Sequence, residues 1–130
     1  MRILALDYGA ARTGVAVSDA TGTLASPLTV VKKASSATGL QELAGIVRRE
    51  QAELVIVGLP VSLDAREHAQ AREVRSFVAR LVRELNVPVR TYDERFTTKV
   101  AAERGGAAGI DARAAAVLLE DYLRSAVVPE

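Results

Sequence analysis

Acidic residues at three separated points of the chain are the ones that could do chemistry. Asp7 ends the apolar segment ILALD, Asp93 and Glu94 follow the short segment VRTY, and Asp111 opens a segment with helical spacing. Carboxylates without a histidine partner suit a hard cation, and Mg²⁺ commonly binds through one or two carboxylates, water and substrate phosphate. Two such ions about 4 Å apart stabilise both the attacking and the leaving oxygen of an in-line phosphoryl displacement. If these acids meet in the fold, they favour metal-dependent phosphoryl chemistry.

The elements that must position these acids follow from hydrophobic periodicity. Residues 2–6 are predicted to form a strand that is apolar on both faces, as in the middle of a covered sheet. Two further strands are predicted over 15–18 and 24–31, joined by Gly-containing turns. Pro27 lacks the donor that a central ladder needs, so the third strand should lie at an edge of the sheet. The first part of the chain is therefore predicted to be an antiparallel meander.

The second part of the chain alternates helices and strands. A helix is predicted over about 38–51, a strand over 54–60, a long helix on the apolar stripe from Val74 to Leu85, a strand over 89–92, and a last helix from Asp111 to about Arg124. This alternation favours parallel strands with helices packed on the sheet. Ligands of such sheets bind beyond the carboxyl ends of the strands. If the first and fifth strands are parallel neighbours, Asp7 and the 93–94 pair should converge there.

Asp111 has two interpretations. Asp is a favoured N-cap residue, and capping the last helix would explain it without any chemistry. The apolar stripe of that helix nevertheless runs in line with Asp111, through Ala115, Leu118, Leu119 and Tyr122. A carboxylate on that inward face is costly unless it is paired or bound to a cation. Asp93 and Glu94 also compete for one role, because neighbours on a strand point to opposite faces.

Composition excludes several classes of protein. The chain has 130 residues, a formal net charge of +1 and no cysteine, which excludes a disulfide framework and a thiolate metal site. No apolar run approaches the roughly 20 residues that span a bilayer, and no secretory signal pattern is found at the amino terminus. We expect one α/β domain over residues 1–130, located in the cytoplasm. Near-neutral charge disfavours a nucleic-acid coat protein, but not an enzyme that acts on nucleic acid.

Four blocks of the chain carry a family resemblance: LALDYGAARTGVAVSD, VIVGLP, YDERFTT and DARAAAVLLEDYL. They resemble, in order and over nearly the whole chain, the motifs of the YqgF/RuvX family of Holliday-junction-resolvase-like nucleases. The resemblance implies an RNase H-like fold with a five-stranded mixed sheet, three antiparallel strands followed by two parallel ones. It also implies a nuclease that uses Mg²⁺ or Mn²⁺ and acts on nucleic acid, either the 5′ end of pre-16S ribosomal RNA or branched DNA. A homodimer would suit junction cutting, although no dimer surface is identifiable from the sequence.

The resemblance also assigns roles to residues. Asp7, Glu94 and Asp111 match the family's catalytic, metal-binding acids, with Asp93 as a substitute for Glu94. The substrate-binding positions that match are Arg12, Thr13, Arg95, Thr97 and Thr98.

Two loops depart from the family pattern, and both are predicted to face the substrate. Asp64 is followed by Ala65 where an Asp-Gly pair is usual, and the segment KVAAERGGAAGI before Asp111 is shorter than usual. These departures bear on affinity and substrate choice rather than on the metal site.

Some of these residues also have plain structural interpretations. Arg12 could be a solvated hairpin residue, Tyr8 could pack over the first turn instead of stacking on a base, and Thr97 and Thr98 could cap a helix near Lys99.

Two other functions stay open beside the nuclease. The segment DYGAARTG also resembles the phosphate loop of actin-like ATPases and sugar kinases, which would make the chain a nucleotide-binding module. A non-catalytic adaptor for RNA or ribosomal particles is the other alternative. The expected single domain disfavours the first, and the presence of all three acids disfavours the second.

Overall fold

The structure, a computed structural model, describes the backbone of residues 1–60, 65–94 and 107–127 and the side chains of residues 1–59, 69–93 and 111–125. Its elements, in chain order, are β1 Ile3–Asp7, β2 Arg12–Ser18, β3 Ala25–Lys32, α1 Ala37–Glu50, β4 Leu54–Pro60, α2 Ala65–Glu84, β5 Val89–Glu94 and α3 Ala107–Val127. No helix in these ranges combines the length and hydropathy needed to cross a bilayer.

The strands form one five-stranded sheet in the order β3-β2-β1-β4-β5. β1 pairs antiparallel with β2, and β2 pairs antiparallel with β3. β1 pairs parallel with β4, and β4 pairs parallel with β5. The predicted mixed sheet and the edge position of the strand that contains Pro27 are therefore confirmed. One condition of the prediction was wrong: β4 lies between β1 and β5, so these two strands are parallel but not neighbours.

Helices cover both faces of the sheet. Strand alternation in β1 sends Leu4 and Leu6 to one face, where they join the cluster built by α1 and α2 around the fully buried Phe77. It sends Ile3 and Ala5 to the other face, where they pack against α3. Because β1 is buried on both sides, its sequence is a continuous apolar run rather than an alternating one.

Two elements begin earlier than their apolar patterns indicated. β2 begins at Arg12 rather than near Val15, and α3 begins at Ala107 rather than at Asp111. In both cases the added residues are mostly polar, glycine or alanine, with Ile110 as the one large apolar residue, so they carry little hydrophobic periodicity. The consequence for the site is large, because Asp111 becomes a residue within a helix instead of its first residue.

Candidate active site at the end of the sheet

Asp7 is the last residue of β1, at the edge of the sheet where the parallel strands have their carboxyl ends. Strand alternation places it on the same face as Ala5, which is the face that α3 covers. Asp7 is half-buried, and it interacts with other parts of the protein. The strand therefore fixes one carboxylate at the boundary between the core and solvent.

Gly14 brings α3 next to this carboxylate. Gly14 is the strand partner of Asp7 in β2. A Cβ atom at Gly14 would overlap the backbone carbonyl of Asp111 and come within 2.9 Å of the Ala112 nitrogen. Only glycine leaves room for backbone to approach backbone this closely. The beginning of α3 therefore lies directly on the strand pair that carries Asp7.

Asp111 is the fifth residue of α3 and is half-buried. This position excludes the N-cap interpretation, since the helix begins four residues earlier. The Oδ2 atom of Asp111 is buried and has no hydrogen-bond partner among the described residues. It lies 3.3 Å from Nε of Arg12, a distance that fits an ion pair although the contact lacks hydrogen-bond geometry. A buried carboxylate oxygen without a hydrogen bond is costly unless a cation lies nearby.

Arg12, the first residue of β2, supplies such a positive charge. Its side chain is 42% exposed, and that of Asp111 is 26% exposed. The guanidinium is thus anchored at one nitrogen while much of the group faces solvent. Arg12 is therefore not a free hairpin residue, and its planar fork of donors can still reach a phosphate.

Thr13, the second residue of β2, contacts the β1–β2 turn through its side chain. It is fully buried, and its hydroxyl oxygen lies 3.3 Å from the Gly9 nitrogen, whose N–H it accepts, and 3.4 Å from the Gly9 carbonyl, to which it donates. Thr13 therefore holds the turn that separates Asp7 from Arg12. Its contact with substrate stays a prediction.

Tyr8 has a structural role on the opposite face. Its ring stacks on that of Phe77, with centroids 4.5 Å apart and planes inclined by 25°. This contact fits the interpretation of Tyr8 as packing over the first turn.

At the end of β5, Asp93 and Glu94 are strand partners of Leu59 and Pro60. Asp93 is exposed, while its neighbour Tyr92 packs against α3. Alternation therefore assigns position 93 to the face of α1 and α2, and position 94 to the face that also carries Asp7.

Tyr92 ties this strand to α3. Its hydroxyl donates to Asp121 Oδ2 at 2.6 Å and lies 2.9 Å from Oγ of Ser125. Partial burial raises the pKa of Tyr92 above its ordinary value, and the hydrogen bond to Asp121 acts in the same direction. β5 is thereby held against the helix that carries Asp111.

Several predicted site residues lie outside the part of the chain that the structure describes. Arg95, Thr97 and Thr98 lie outside the described residues, as do Asp64 and most of the short segment before Asp111. Within the described side chains, which do not include Glu94, no group of three acidic, His or Cys residues converges as a metal site.

The donor chemistry that is described fits a hard cation. Asp7 and Asp111 offer only carboxylate oxygens, the ligand type that Mg²⁺ and Mn²⁺ favour. Within the described part of the chain, the buried Oδ2 of Asp111 has no hydrogen bond to lose when it coordinates an ion. The residues present therefore suit the divalent ion that the resemblance implies.

Sequence reasoning treated Gly14 only as the end of a turn and missed its role. The signal was present, since an isolated glycine inside a strand often marks a close backbone approach. The length of β2 had to be known before Gly14 could be placed inside it.

Comparisons with known proteins agree with this architecture. The chain matches the family model described as "RuvX: Holliday junction resolvase" over residues 1–125. A protein of Anaplasma marginale named "Putative pre-16S rRNA nuclease" is 39% identical over 98% of this chain and 80% of its own length. A protein of Roseiflexus with the same name is 39% identical over 95% of this chain and 94% of its own.

Solved structures support the fold. The structure of T. thermophilus RuvC in complex with a Holliday junction substrate matches with a TM-score of 0.62 and 19% identity, covering 98% of each chain. A second Thermus thermophilus RuvC structure matches with a TM-score of 0.56 and 18% identity, covering 97% of each chain. At this identity the likeness shows the RNase H-like fold. With the family model matched over residues 1–125, the chain belongs to the RuvX family.

Proposed function

We propose that this chain is a metal-dependent nuclease that hydrolyses phosphodiester bonds of structured nucleic acid. One observation carries the proposal. Gly14 brings Asp111 onto the strand pair that ends in Asp7, and the buried Oδ2 of Asp111 has no hydrogen bond to any residue that the structure describes. Two carboxylates from different elements are thus held at the sheet edge where α/β folds bind ligands.

We assign the metal-binding set to Asp7, Asp111 and Glu94. Alternation in β5 favours Glu94 over Asp93, because position 94 belongs to the sheet face that α3 covers. Mg²⁺ or Mn²⁺ bound to these acids would supply an activated water and would stabilise the departing oxygen. The three carboxylates themselves keep the ion in place and, being negative, repel a phosphate unless an ion is bound.

Arg12 orients the substrate in this proposal. Its guanidinium is anchored to Asp111 and partly exposed, so it can donate to a phosphate oxygen beside the acids. The resemblance adds Arg95, Thr97 and Thr98 as further contacts to the nucleic acid. Thr13 supports the turn that positions Arg12.

The names of the relatives at 39% identity favour pre-16S ribosomal RNA as the substrate, and the resemblance implies its 5′ end. Branched DNA is the alternative, and it corresponds to the description of the family model. With either substrate, the activity would take place in the cytoplasm. A cleavage assay on both substrates, in Mg²⁺ and in Mn²⁺, separates these two possibilities.

Replacing a metal-binding carboxylate with its amide is the test of the site. We expect Asp7→Asn and Asp111→Asn to lower the cleavage rate about a hundredfold or more, since each change removes charge and a ligand. Asp121→Asn is the matched control, because it makes the same change on the same helix and retains an acceptor for Tyr92. It should keep cleavage within about twofold.

A second pair of variants tests the assignment at the end of β5. Glu94→Gln should abolish cleavage and Asp93→Asn should leave it nearly intact, since the two positions lie on opposite faces. The reverse result would move the third carboxylate to Asp93. A wild-type protein that is inert on both substrates would refute the nuclease. Binding without cleavage would then favour the adaptor, and ATP binding the nucleotide module.

A further inference from the structure

We propose that Lys32 and Arg12 together bind the sugar-phosphate backbone next to the scissile phosphate. In this arrangement a bound nucleic-acid strand runs from the acidic site across the ends of β2 and β3. The inference rests on the proposed function, and it adds a binding residue, Lys32, and a direction for the substrate.

The strand register places the two cations side by side. Arg12, the first residue of β2, is the direct partner of Lys32, the last residue of β3. Residues directly opposite each other in an antiparallel pair have Cβ atoms about 5 Å apart on the same face of the sheet. That face is the one with the acids, because Arg12 contacts Asp111 and Gly14, two residues further along β2, lies against the same helix.

The distance of the Arg12–Lys32 pair from Asp7 suits the phosphate that follows the one held at the acids. Gly14 is the partner of Asp7, and Arg12 lies two residues beyond it toward solvent. Two residues of a strand span about 7 Å. This distance is similar to the separation of successive phosphates along an extended nucleic-acid strand. A phosphate held by Arg12 and Lys32 would thus be the neighbour of one held at the acids.

Two cations directly opposite each other destabilise a sheet by mutual repulsion. Within the described part of the chain, Arg12 forms an ion pair with Asp111. Lys32 is exposed and forms no ion pair with the described residues. The repulsion is therefore only partly compensated inside the protein. A polyanion lying across the strand ends would compensate the rest.

The segments that carry these cations contain no acidic residue, and the opposing charge at Arg12 is Asp111 of α3. Residues 8–18 and 20–41 include Arg12, Lys32 and Lys33 but no aspartate or glutamate. Lys33 is exposed. Its backbone N–H donates to the Ala11 carbonyl at 3.0 Å, so a hydrogen bond joins the backbone segments next to Arg12 and Lys32. A local positive surface of this kind attracts phosphate even though the net charge of the chain is only +1.

The test is nucleic-acid binding without turnover. Fluorescence anisotropy would be measured for the full chain in Ca²⁺, an oxygen-binding cation, with two labelled probes: an RNA carrying the 5′ leader of pre-16S rRNA and a four-way DNA junction. We expect Lys32→Gln to weaken binding roughly tenfold at low salt. The slope of log affinity against log salt concentration should fall by about 1.

Two variants control this measurement. Lys32→Arg keeps the charge and should bind within about twofold of wild type. Arg48→Gln removes one exposed positive charge near the carboxyl end of α1, at the opposite end of the sheet, and should also bind within about twofold. The probe on which Lys32→Gln has the larger effect identifies the nucleic acid whose backbone crosses these strands.

The outcomes separate this inference from the nuclease proposal. If wild type cleaves a substrate while Lys32→Gln binds it with unchanged affinity and salt slope, the cation pair is refuted and the nuclease stands. If wild type binds neither probe, both proposals fall. Thermal unfolding supplies the remaining check: Lys32→Gln should melt at the wild-type temperature or above, because it removes repulsion. Weaker binding together with a clearly lower Tm would show a structural role instead and overturn the inference.

Discussion

The two faces of the sheet differ in the share of small side chains in their cores. The face covered by α1 and α2 is filled by Phe77 and by large aliphatic residues such as Leu43 and Leu81, all nearly inaccessible to solvent. The face covered by α3 also contains large residues such as Leu118 and Leu119, but α3 carries a run of buried alanines, Ala114 to Ala116. Two of these cluster with small residues of the sheet, Ala5 and Ala16. At its amino-terminal end α3 contacts Gly14 with backbone.

Because of this difference, the face of α1 and α2 contributes more to stability, and the face of α3 positions the candidate site. Large apolar side chains bury more surface and so contribute more to the free energy of folding. Small residues contribute less, but they let helix backbone approach strand backbone. That approach is what places the backbone of Asp111 against Gly14, the strand partner of Asp7. We therefore expect the face of α1 and α2 to tolerate changes without loss of chemistry, and the face of α3 to lose chemistry with smaller losses of stability.

The largest expected effect is on stability, at Leu81. Leu81→Ala removes a fully buried side chain from the cluster around Phe77 and should lower the free energy of unfolding by about 2–5 kcal/mol. Urea denaturation measures this loss. The cleavage rate per folded molecule should change less than about twofold, because no site residue moves.

Val82→Ala is the control for Leu81, since Val82 is the next residue on α2 and is 53% exposed. Its cost should stay within about 0.5 kcal/mol. A large loss of cleavage per folded Leu81→Ala molecule would show that the two faces are coupled. It would contradict the expectation that changes on the face of α1 and α2 leave the chemistry intact.

An intermediate effect is expected at Gly14. In Gly14→Ala the new methyl group would overlap backbone atoms of Asp111 and Ala112, which cannot rotate away as a side chain could. We expect a loss of about 1–3 kcal/mol in unfolding free energy. Cleavage per folded molecule should fall strongly, because α3 must move away from the strand that carries Asp7.

Gly45→Ala in α1 is the matched control for Gly14. The nearest atom to a Cβ there is Nη2 of the Arg48 side chain, at 3.9 Å. Alanine inside a helix is more stable than glycine by roughly 0.5–1 kcal/mol. Gly45→Ala should thus stabilise the protein and keep full activity, and full activity in Gly14→Ala would contradict the proposed role of the close approach.

The smallest effect is expected at Tyr92, on the face of α3. Tyr92→Phe removes the hydrogen bond to Asp121 and should lower the unfolding free energy at neutral pH by about 1 kcal/mol. Tyr122→Phe removes a hydroxyl from the ring that meets Tyr92 edge-on, at a centroid distance of 5.4 Å, and should cost less. Equal losses in the two variants would show that the hydroxyl of Tyr92 contributes nothing specific.

The same residue gives a pH dependence. Burial and the bond to Asp121 raise the pKa of Tyr92 above its ordinary value of 10.0. The folded protein therefore retains this proton at pH values where the unfolded chain has lost it, and stability falls as the pH rises from 10 through the raised pKa. Urea midpoints of wild type should decline more steeply above pH 10 than those of Tyr92→Phe. Equally steep declines of the urea midpoint in the two proteins would contradict the raised pKa of Tyr92.

The fold was predictable because its signals are local. Periodicity identified all five strands and the three helices that the structure describes, and Pro27 located an edge of the sheet. The position of Asp7 at the end of a buried strand was equally visible. The beginning of α3 was not, because residues 107–110 are alanine, glycine and one isoleucine, with little apolar spacing. That error kept capping open as an interpretation of Asp111.

By itself, the sequence determined which residues could do chemistry and the family to which the chain belongs. Both depend on residue type, spacing and motif order, which are properties of the chain alone. Only the tertiary structure decided that Arg12 contacts Asp111, that Gly14 admits the helix backbone, and that Lys32 stands opposite Arg12. These facts depend on strand register and on the distance between a helix and the sheet. Both are set by side-chain packing between segments that are far apart in the chain.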